Sequence, residues 1–238
     1  EARLVSVSGE GLVANAAPAP GIEIGSSQAI ETDYAWDTAS PSESVSPVRM
    51  VGALNGTFSG KVVLSSAGAI KALKASASAL VEAAGKGKIP ASAVQLRLAE
   101  RAKPDVSWVA GTRFDRLLAE FPAEIAPVSP DRRHPAMAVA PVWVTVKVPS
   151  DILAGEYKGT VLIEATGDAP VKFSVPVHLK VNNWRIPDPT NFVTHNNIYS
   201  SEDSLARFYK VPMWSEKHFE LIGKSMAAFQ QVGNKLCA

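Results

Sequence analysis

Cysteine occurs once in this chain of 238 residues, at Cys237. A lone thiol can form no internal disulfide and no thiolate cluster for zinc. The four histidines, His134, His178, His195 and His218, stand far apart and supply no ligand spacing. No structural metal is therefore expected, although carboxylates and backbone carbonyls could still build a calcium loop. Charge of one sign is missing as well. Residues 1–183 hold 18 Lys and Arg against 18 Asp and Glu, and residues 184–238 hold 6 against 5. No basic face follows from that balance, so nothing points to nucleic acid. No apolar run reaches the length of a membrane-spanning helix. A Gly-rich phosphate loop and a nucleophile elbow are both absent, and no cofactor is implied. Methionine is missing from the first position, which is Glu1, so removal of an N-terminal piece is expected, with a secretion signal as one candidate.

What is present reads mainly as strand. Residues 16–48 place short apolar pieces between Pro, Gly, Ser and Thr, as strands joined by surface loops do. Tyr34 and Trp36 in that region could form a sugar-stacking platform, but such residues more ordinarily pin a long loop to a core. Asn55-Gly56 is a strong turn pair before the strand-like KVVLSS, and Asn55-Gly56-Thr57 meets the glycosylation acceptor pattern. Residues 69–84 fit a helical period through Ile70, Leu73, Ala77 and Leu80 and a strand period through Leu73, Ala75, Ala77 and Ala79. Periodicity alone does not arbitrate there. Residues 93–100 alternate as a strand. Residues 112–136 hold four prolines, which restricts them to an extended loop with a helical turn conceivable over 115–120. Within that loop, Asp131-Arg132-Arg133-His134 has the composition of a solvated connector.

Residues 141–181 write three strands. Val142, Val144, Val146 and Val148 share one face, opposite Trp143, Thr145 and Lys147. Tyr157 to Ala165 follow after the turn Ala154-Gly155-Glu156. After Thr166-Gly167-Asp168, Val171, Phe173, Val175, Val177, Leu179 and Val181 face inward, with Lys172, Ser174, His178 and Lys180 outward. An antiparallel sheet with one apolar face must bury it against a second layer. With no helix nearby, that layer is a second sheet, and the reading is a β-sandwich. Pro176 on the wet face suggests an edge strand or a bulge, and His178 beside it reads as a surface residue.

Asn182 to Pro189 break the alternation and read as a stiff connector, which Trp184 and Ile186 are expected to pack into a groove. Asn191–Thr194 reads as a strand, and His195, Asn197 and Tyr199 crowd polar side chains just after it. Ser201 can cap a helical turn, and Ser215 a longer helix. Phe219, Ile222, Met226 and Phe229 mark a buried stripe, with Glu216 and His218 on the outer surface. Gly233 ends that helix, and Lys235-Leu236-Cys237 reads as the start of another strand. Strand, polar loop, helix and strand form the opening unit of an α/β fold, so the chain is expected to be a fragment of a larger domain, open to self-association.

The runs PVWVTVKVPSDILAGEYKGTVLIEA, WRIPDP and FYKVPMWSEKHFELI resemble the N-terminal part of glycoside hydrolase family 123-like proteins, and SGKVVLSS, IPASAVQLRLAE and FDRLLAEFP resemble that family's accessory region. The resemblance spans roughly residues 45–238 and implies strand for 69–84. It implies an all-β, immunoglobulin-like sandwich over residues 1–183, a linker over 184–189, and over 190–238 the opening βα unit of a (β/α)8 barrel. It further implies a β-N-acetylgalactosaminidase-like enzyme acting on N-acetylhexosamine-containing glycans in the periplasm or outside the cell. In such enzymes the substrate's acetamido group replaces the nucleophile, and an adjacent Asp-Glu pair does the acid–base work. Residues 188–238 hold no such pair. Glu202-Asp203 stands in the reverse order, so no catalytic residue is assigned and the chain alone is expected to be inactive. Barrel chemistry gathers at the C-terminal ends of the strands, which makes His195, Asn197 and Tyr199 candidate substrate-binding residues, the alternative being that they only close the bottom or rim of the barrel. Trp214 is a further candidate as a stacking platform, though such a residue more ordinarily anchors the helix start. The competing readings are a non-catalytic carbohydrate- or surface-binding module and a purely structural domain.

Overall fold

The structure, a computed structural model, describes residues 21–39, 44–101, 113–129, 134–193, 197–198, 201–234 and 236–237. The chain divides into two compact units, Glu1–Trp184 and Arg185–Ala238. The first carries β1 (Glu23–Ser27), β2 (Val48–Leu54), β3 (Thr57–Ser66), β4 (Ile70–Ala77), β5 (Leu80–Glu82), β6 (Lys88–Ile89) and β7 (Val94–Arg101). It continues through β8 (Phe114–Leu118), β9 (Glu124–Ile125), β10 (Ala138–Lys147), β11 (Gly155–Thr166) and β12 (Pro170–Arg185). Two sheets result, in the orders β1-β3-β10-β7-β8 and β2-β12-β11-β4-β9, with β5 and β6 extending from β11.

The valine alternation explains how they meet. Val142, Val144 and Val146 of β10 are fully buried, as are Val161 and Ile163 of β11 and Leu179 of β12, and Val175 and Val177 of β12 are almost so. All belong to a single apolar core that also takes in Val62, Leu64, Ile70 and Leu80. Each such side chain removed from water contributes roughly 1.5–3 kcal/mol. Both sheets close on this core and make a curled, open β-sheet region, which two helices follow in the chain. The outer face of β12 is wet, with Lys172, Ser174 and Lys180 exposed.

The outer face of β10 is covered instead. Trp143 is half-buried, and Thr145 is buried with its hydroxyl 2.9 Å from that of Ser59. Opposite Trp143 in register stands Lys61 of β3. Its ammonium is buried, lies 2.7 Å from the Asp33 carboxylate and donates to the Glu31 carbonyl. It also sits 5.4 Å from the centre of the Trp143 ring. Asp33 accepts a further hydrogen bond from the Ser27 hydroxyl at 2.9 Å. The segment around residues 31–37 is thereby pinned over the sheet. Tyr34 and Trp36 belong to it: their rings stack at 4.8 Å, and Trp36 stacks on His134 at 4.3 Å. The pair serves as the loop pin.

Several local expectations are corrected. Residues 115–120 contain no helical turn; Phe114–Leu118 is a strand, because pairing with β7 satisfies backbone groups that one isolated turn would leave to water. β12 is not an edge, for it runs between β2 and β11 despite Pro176. The stretch 69–84, whose period was ambiguous, is strand over β4 and β5, as the resemblance implied. The Asn55-Gly56 turn is present, with Asn55 at φ 63°, but it hands the chain from one sheet to the other rather than closing a hairpin within either. Trp184 is exposed rather than packed.

The second unit holds β13 (Asn197–Ile198), α1 (Glu202–Tyr209), α2 (Glu216–Gln231) and β14 (Leu236–Cys237). No strand begins at Asn191. Pro189 opens a short 3-10 turn over Pro189–Asn191, since its fixed φ suits the first position of a helical turn. Gly233 takes φ 75° as α2 ends, and a Cβ there would run into the Phe192 ring.

Two expected outcomes follow from these contacts. Asp33→Asn leaves the buried Lys61 ammonium without its counter-charge and lowers stability by about 3–5 kcal/mol in chemical denaturation; the double substitution Asp33→Leu with Lys61→Met costs less than that single change. Gly233→Ala meets both the left-handed backbone and Phe192, and shortens protection of α2 and β14 in hydrogen exchange by about tenfold, equivalent to roughly 1.4 kcal/mol.

Candidate functional site

The second unit is a β-α-α-β piece. β13 and β14 pair in parallel, with Asn197 opposite Leu236 and Ile198 opposite Cys237. A parallel pair needs a crossover that returns the chain to its starting level. α2 makes this return. Its C-terminal end places Gly233 against Phe192. A 16-residue helix is about 24 Å long, so its N-terminal end stands about that far from Phe192.

That end carries Trp214. Ser215 caps α2, accepting from the His218 backbone N–H at 3.3 Å while its hydroxyl donates to the Pro212 carbonyl at 2.8 Å. Trp214, just before the cap, adopts φ 63°, the left-handed region that a bulky side chain occupies only under constraint. Its backbone N–H donates to Nδ1 of His218 at 2.9 Å. Nδ1 must then be the acceptor, and Nε2 carries the proton, donating to the Glu202 carbonyl at 2.9 Å. The imidazole is fully buried and joins the start of α2 to the first residue of α1.

The buried side of α2 is consequently not the one expected. His218 and Leu221 are buried, whereas Phe219 is 56% exposed. Ile222, Met226 and Phe229 are half-buried, so the stripe is rotated toward His218, whose ring finds two backbone partners inside the hairpin. Trp214 is 59% exposed and lies 6.0 Å from Phe219, ring centre to ring centre. Phe208 and Tyr209 at the end of α1 form a second exposed pair, edge to face at 5.0 Å.

Of the residues expected to touch substrate, Trp214 is exposed. Asn197 lies in β13. His195 and Tyr199 lie outside the described residues. Glu202 and Asp203 start α1, and Asp203 is held below the ordinary carboxylate range, first by the Ser201 hydroxyl at 2.8 Å. Among the described residues no group of three or more His, Cys, Asp or Glu side chains converges as a metal site, and no helix is long and apolar enough to cross a membrane. In the first unit, clefts of about 700 and 650 Å³ flank the Lys61–Asp33 pair without receiving any of the expected site residues. His218 is the residue that sequence reasoning missed. One signal was available: it occupies the third position after the Ser215 cap, one helical step from Leu221 and Ile222.

Farther along α2, Lys217 and Lys224 both hold Glu220, at 2.7 and 2.6 Å, and bring its carboxyl down to about 2. A depressed carboxylate pKa adds stability above the ordinary value of 4.5 and loses it as pH falls toward 2. Circular dichroism of wild type and Glu220→Gln is expected to differ above pH 5 and to converge near pH 2, the difference shrinking with salt.

A model of the glycoside hydrolase 123 N-terminal domain matches residues 32–165, and one of the glycoside hydrolase 123 catalytic domain matches residues 199–238. A family 123 glycoside hydrolase from Clostridium perfringens, described for glycolipid glycan hydrolysis, is similar at TM-score 0.62 and 16% identity. The likeness covers 82% of this chain and 33% of that one, so the chain spans a third of the enzyme's length. The adhesive subunit of the CFA/I fimbria of enterotoxigenic Escherichia coli (TM-score 0.33, 16% identity, 58% of this chain and 46% of that one) is a far weaker likeness. So is a PapD-like domain of human CEP192 (TM-score 0.31, 12% identity, 77% and 100%). Neither decides anything about fold or function. No curated protein matches by sequence. With the N-terminal model alone accounting for more than half of its residues, the chain belongs to glycoside hydrolase family 123.

Proposed function

We propose that this chain is the N-terminal part of a glycoside hydrolase acting on N-acetylhexosamine-containing glycans. In this reading residues 1–183 are an immunoglobulin-like accessory sandwich and residues 184–189 a linker. Residues 190–238 open a (β/α)8 barrel whose catalytic carboxylates lie in sequence beyond Ala238. The observation that carries the reading is the parallel β13–β14 pair with its helical crossover, in the stretch that matches the catalytic domain. Parallel pairing of this kind is the repeating step of a barrel. The glycolipid glycans cleaved by the Clostridium perfringens enzyme support the substrate class.

His195, Asn197, Tyr199 and Trp214 then contribute to substrate binding around the first barrel strand, β13, which His195 precedes and Tyr199 follows in sequence. Their role is recognition. Hydrolysis with help from the substrate's acetamido group needs one carboxylate to orient and charge that group and another to act as acid and then base. Glu202-Asp203 stands in the reverse of the family order and Asp203 is engaged by Ser201, so in this reading both groups come from elsewhere in the protein. A periplasmic or extracellular location goes with this reading.

The test compares two proteins on p-nitrophenyl N-acetyl-β-D-galactosaminide and its glucosaminide counterpart. The 238-residue chain is expected to release no nitrophenol. The protein that continues past Ala238 is expected to hydrolyse at least one of the two, at a rate at least 100-fold above the chain, the order of magnitude that a general acid–base group supplies. Turnover by the purified chain alone, or none of either substrate by the longer protein, would overturn the proposal.

A further inference from the structure

Trp214 combines two unfavourable features. A bulky residue sits in the left-handed region, and that residue is 59% exposed. The indole meets the His218 ring at 5.5 Å and the Phe219 ring at 6.0 Å, centre to centre, and these contacts leave more than half of the residue in solvent. What maintains the arrangement is His218. Its side chain is fully buried, and one ring nitrogen is spent on the Trp214 backbone N–H. The other is spent on the Glu202 carbonyl, which fixes the imidazole against α1. The Ser215 cap ties the same turn a second time, through Pro212 and the His218 N–H. A backbone held this firmly around an outward-facing indole is the form of a preorganised contact surface, in which the ordering is done before the ligand arrives.

We infer that His218 is a positioning residue, clamping the Trp214 backbone so that the indole is presented as a stacking surface for a sugar ring. The inference rests on the hydrolase reading for the identity of the ligand, and it deepens that reading by assigning the apolar C–H face of a pyranose to Trp214. A flat aromatic ring suits that face, and its fixed orientation spares the conformational entropy of a free side chain. His218 touches no substrate and moves no proton; it acts only through Trp214.

The two nitrogens can be separated by substitution. In His218→Asn the amide oxygen falls near the place of Nδ1 and can accept from the Trp214 N–H. In His218→Gln the amide falls near the place of Nε2 and can reach the Glu202 carbonyl but not Trp214. The chain holds five tryptophans, so nitrogen–proton spectra contain five indole signals, and Trp214→Phe identifies the one that matters. N-acetylgalactosamine is the probe. Adding it to wild type is expected to shift the Trp214 signal and leave the other four in place. His218→Gln is expected to move the Trp214 signal before any sugar is added and to weaken the sugar response roughly tenfold, the size of one aromatic contact. His218→Asn is expected to stay within about threefold of wild type by the same scale.

A purely structural clasp gives another pattern: both variants lose helix by circular dichroism, and neither changes the sugar response of the remaining folded protein. That pattern overturns the inference. So does a Trp214 signal that N-acetylgalactosamine leaves unmoved in wild type. Should both histidine variants fail to fold, Trp214→Leu, which keeps His218, decides by calorimetry: undiminished heat of sugar binding overturns the inference, and its loss supports it. Failure here is distinct from failure of the hydrolase reading, because hydrolysis by the longer protein with a silent Trp214 defeats only the inference, whereas a responding Trp214 without hydrolysis defeats only the reaction.

Discussion

β10 lies in the middle of its sheet and is covered on both faces, and the architecture of the first unit follows from how each face is covered. The core side is met by the second sheet, whose valines and isoleucines interleave with Val142, Val144 and Val146. Hydrophobic burial suffices there, because the side chains are apolar and the backbone groups are already paired in the ladders. The outer side is harder. Trp143, Thr145 and Lys61 project from it, and a segment without regular structure must cover them. The Lys61–Asp33 pair solves this by a polar contact that tolerates one geometry. An ammonium buried to this depth needs its carboxylate and carbonyl partners in place, so the loop has a single position available to it. Asp37, four residues on, shows the cost of adding charge there. Burial pushes its carboxyl above the ordinary range, Asp33 adds to this, and the Tyr34 backbone N–H opposes it.

The second unit solves a smaller problem with the same device, a buried polar group whose every bond is used. The two helices have short apolar sides, and the residues in the turn between them are mostly exposed. A helix of 8 residues has little stability of its own. His218 gives the hairpin a defined corner by accepting from the Trp214 N–H, which the turn would otherwise leave open, and by donating to the Glu202 carbonyl of α1. Trp214 takes its unusual backbone from that corner. Strain of this kind persists only where the surroundings over-determine it, and here the Ser215 cap and the imidazole do so together.

Much of this was legible in the amino-acid order, and the reasons differ by element. The strands at 141–181 were readable because one-face burial forces strict alternation, and no helix tolerates that period. The opening of an α/β unit was readable from the Ser215 cap and Gly233, which act locally. Strand β8 was not readable: a five-residue piece between prolines has no periodicity to speak of, and it is strand because β7 offers it a ladder. The same is true of the missing strand at Asn191, where Pro189 favoured a 3-10 turn. Of the helical stripe, Ile222, Met226 and Phe229 are half-buried as expected, but Phe219 is exposed and His218 and Leu221 take the most buried places, because spacing gives the period of a buried face but not its phase. Phase was set by His218, whose worth depends on two backbone groups 4 and 16 residues away.

That dependence also explains why the candidate site was only half legible. An exposed tryptophan beside a cap reads in one dimension as a helix anchor, since most aromatics are used for packing. Its left-handed backbone is invisible in the sequence, for nothing about Met213-Trp214-Ser215 demands it. The constraint comes from the histidine four residues on, and a histidine on an amphipathic helix reads as surface. Two ordinary-looking residues therefore acquire their meaning only jointly, once the ring nitrogens have found the Trp214 N–H and the Glu202 carbonyl. The first residue is then free to face outward because the second is not.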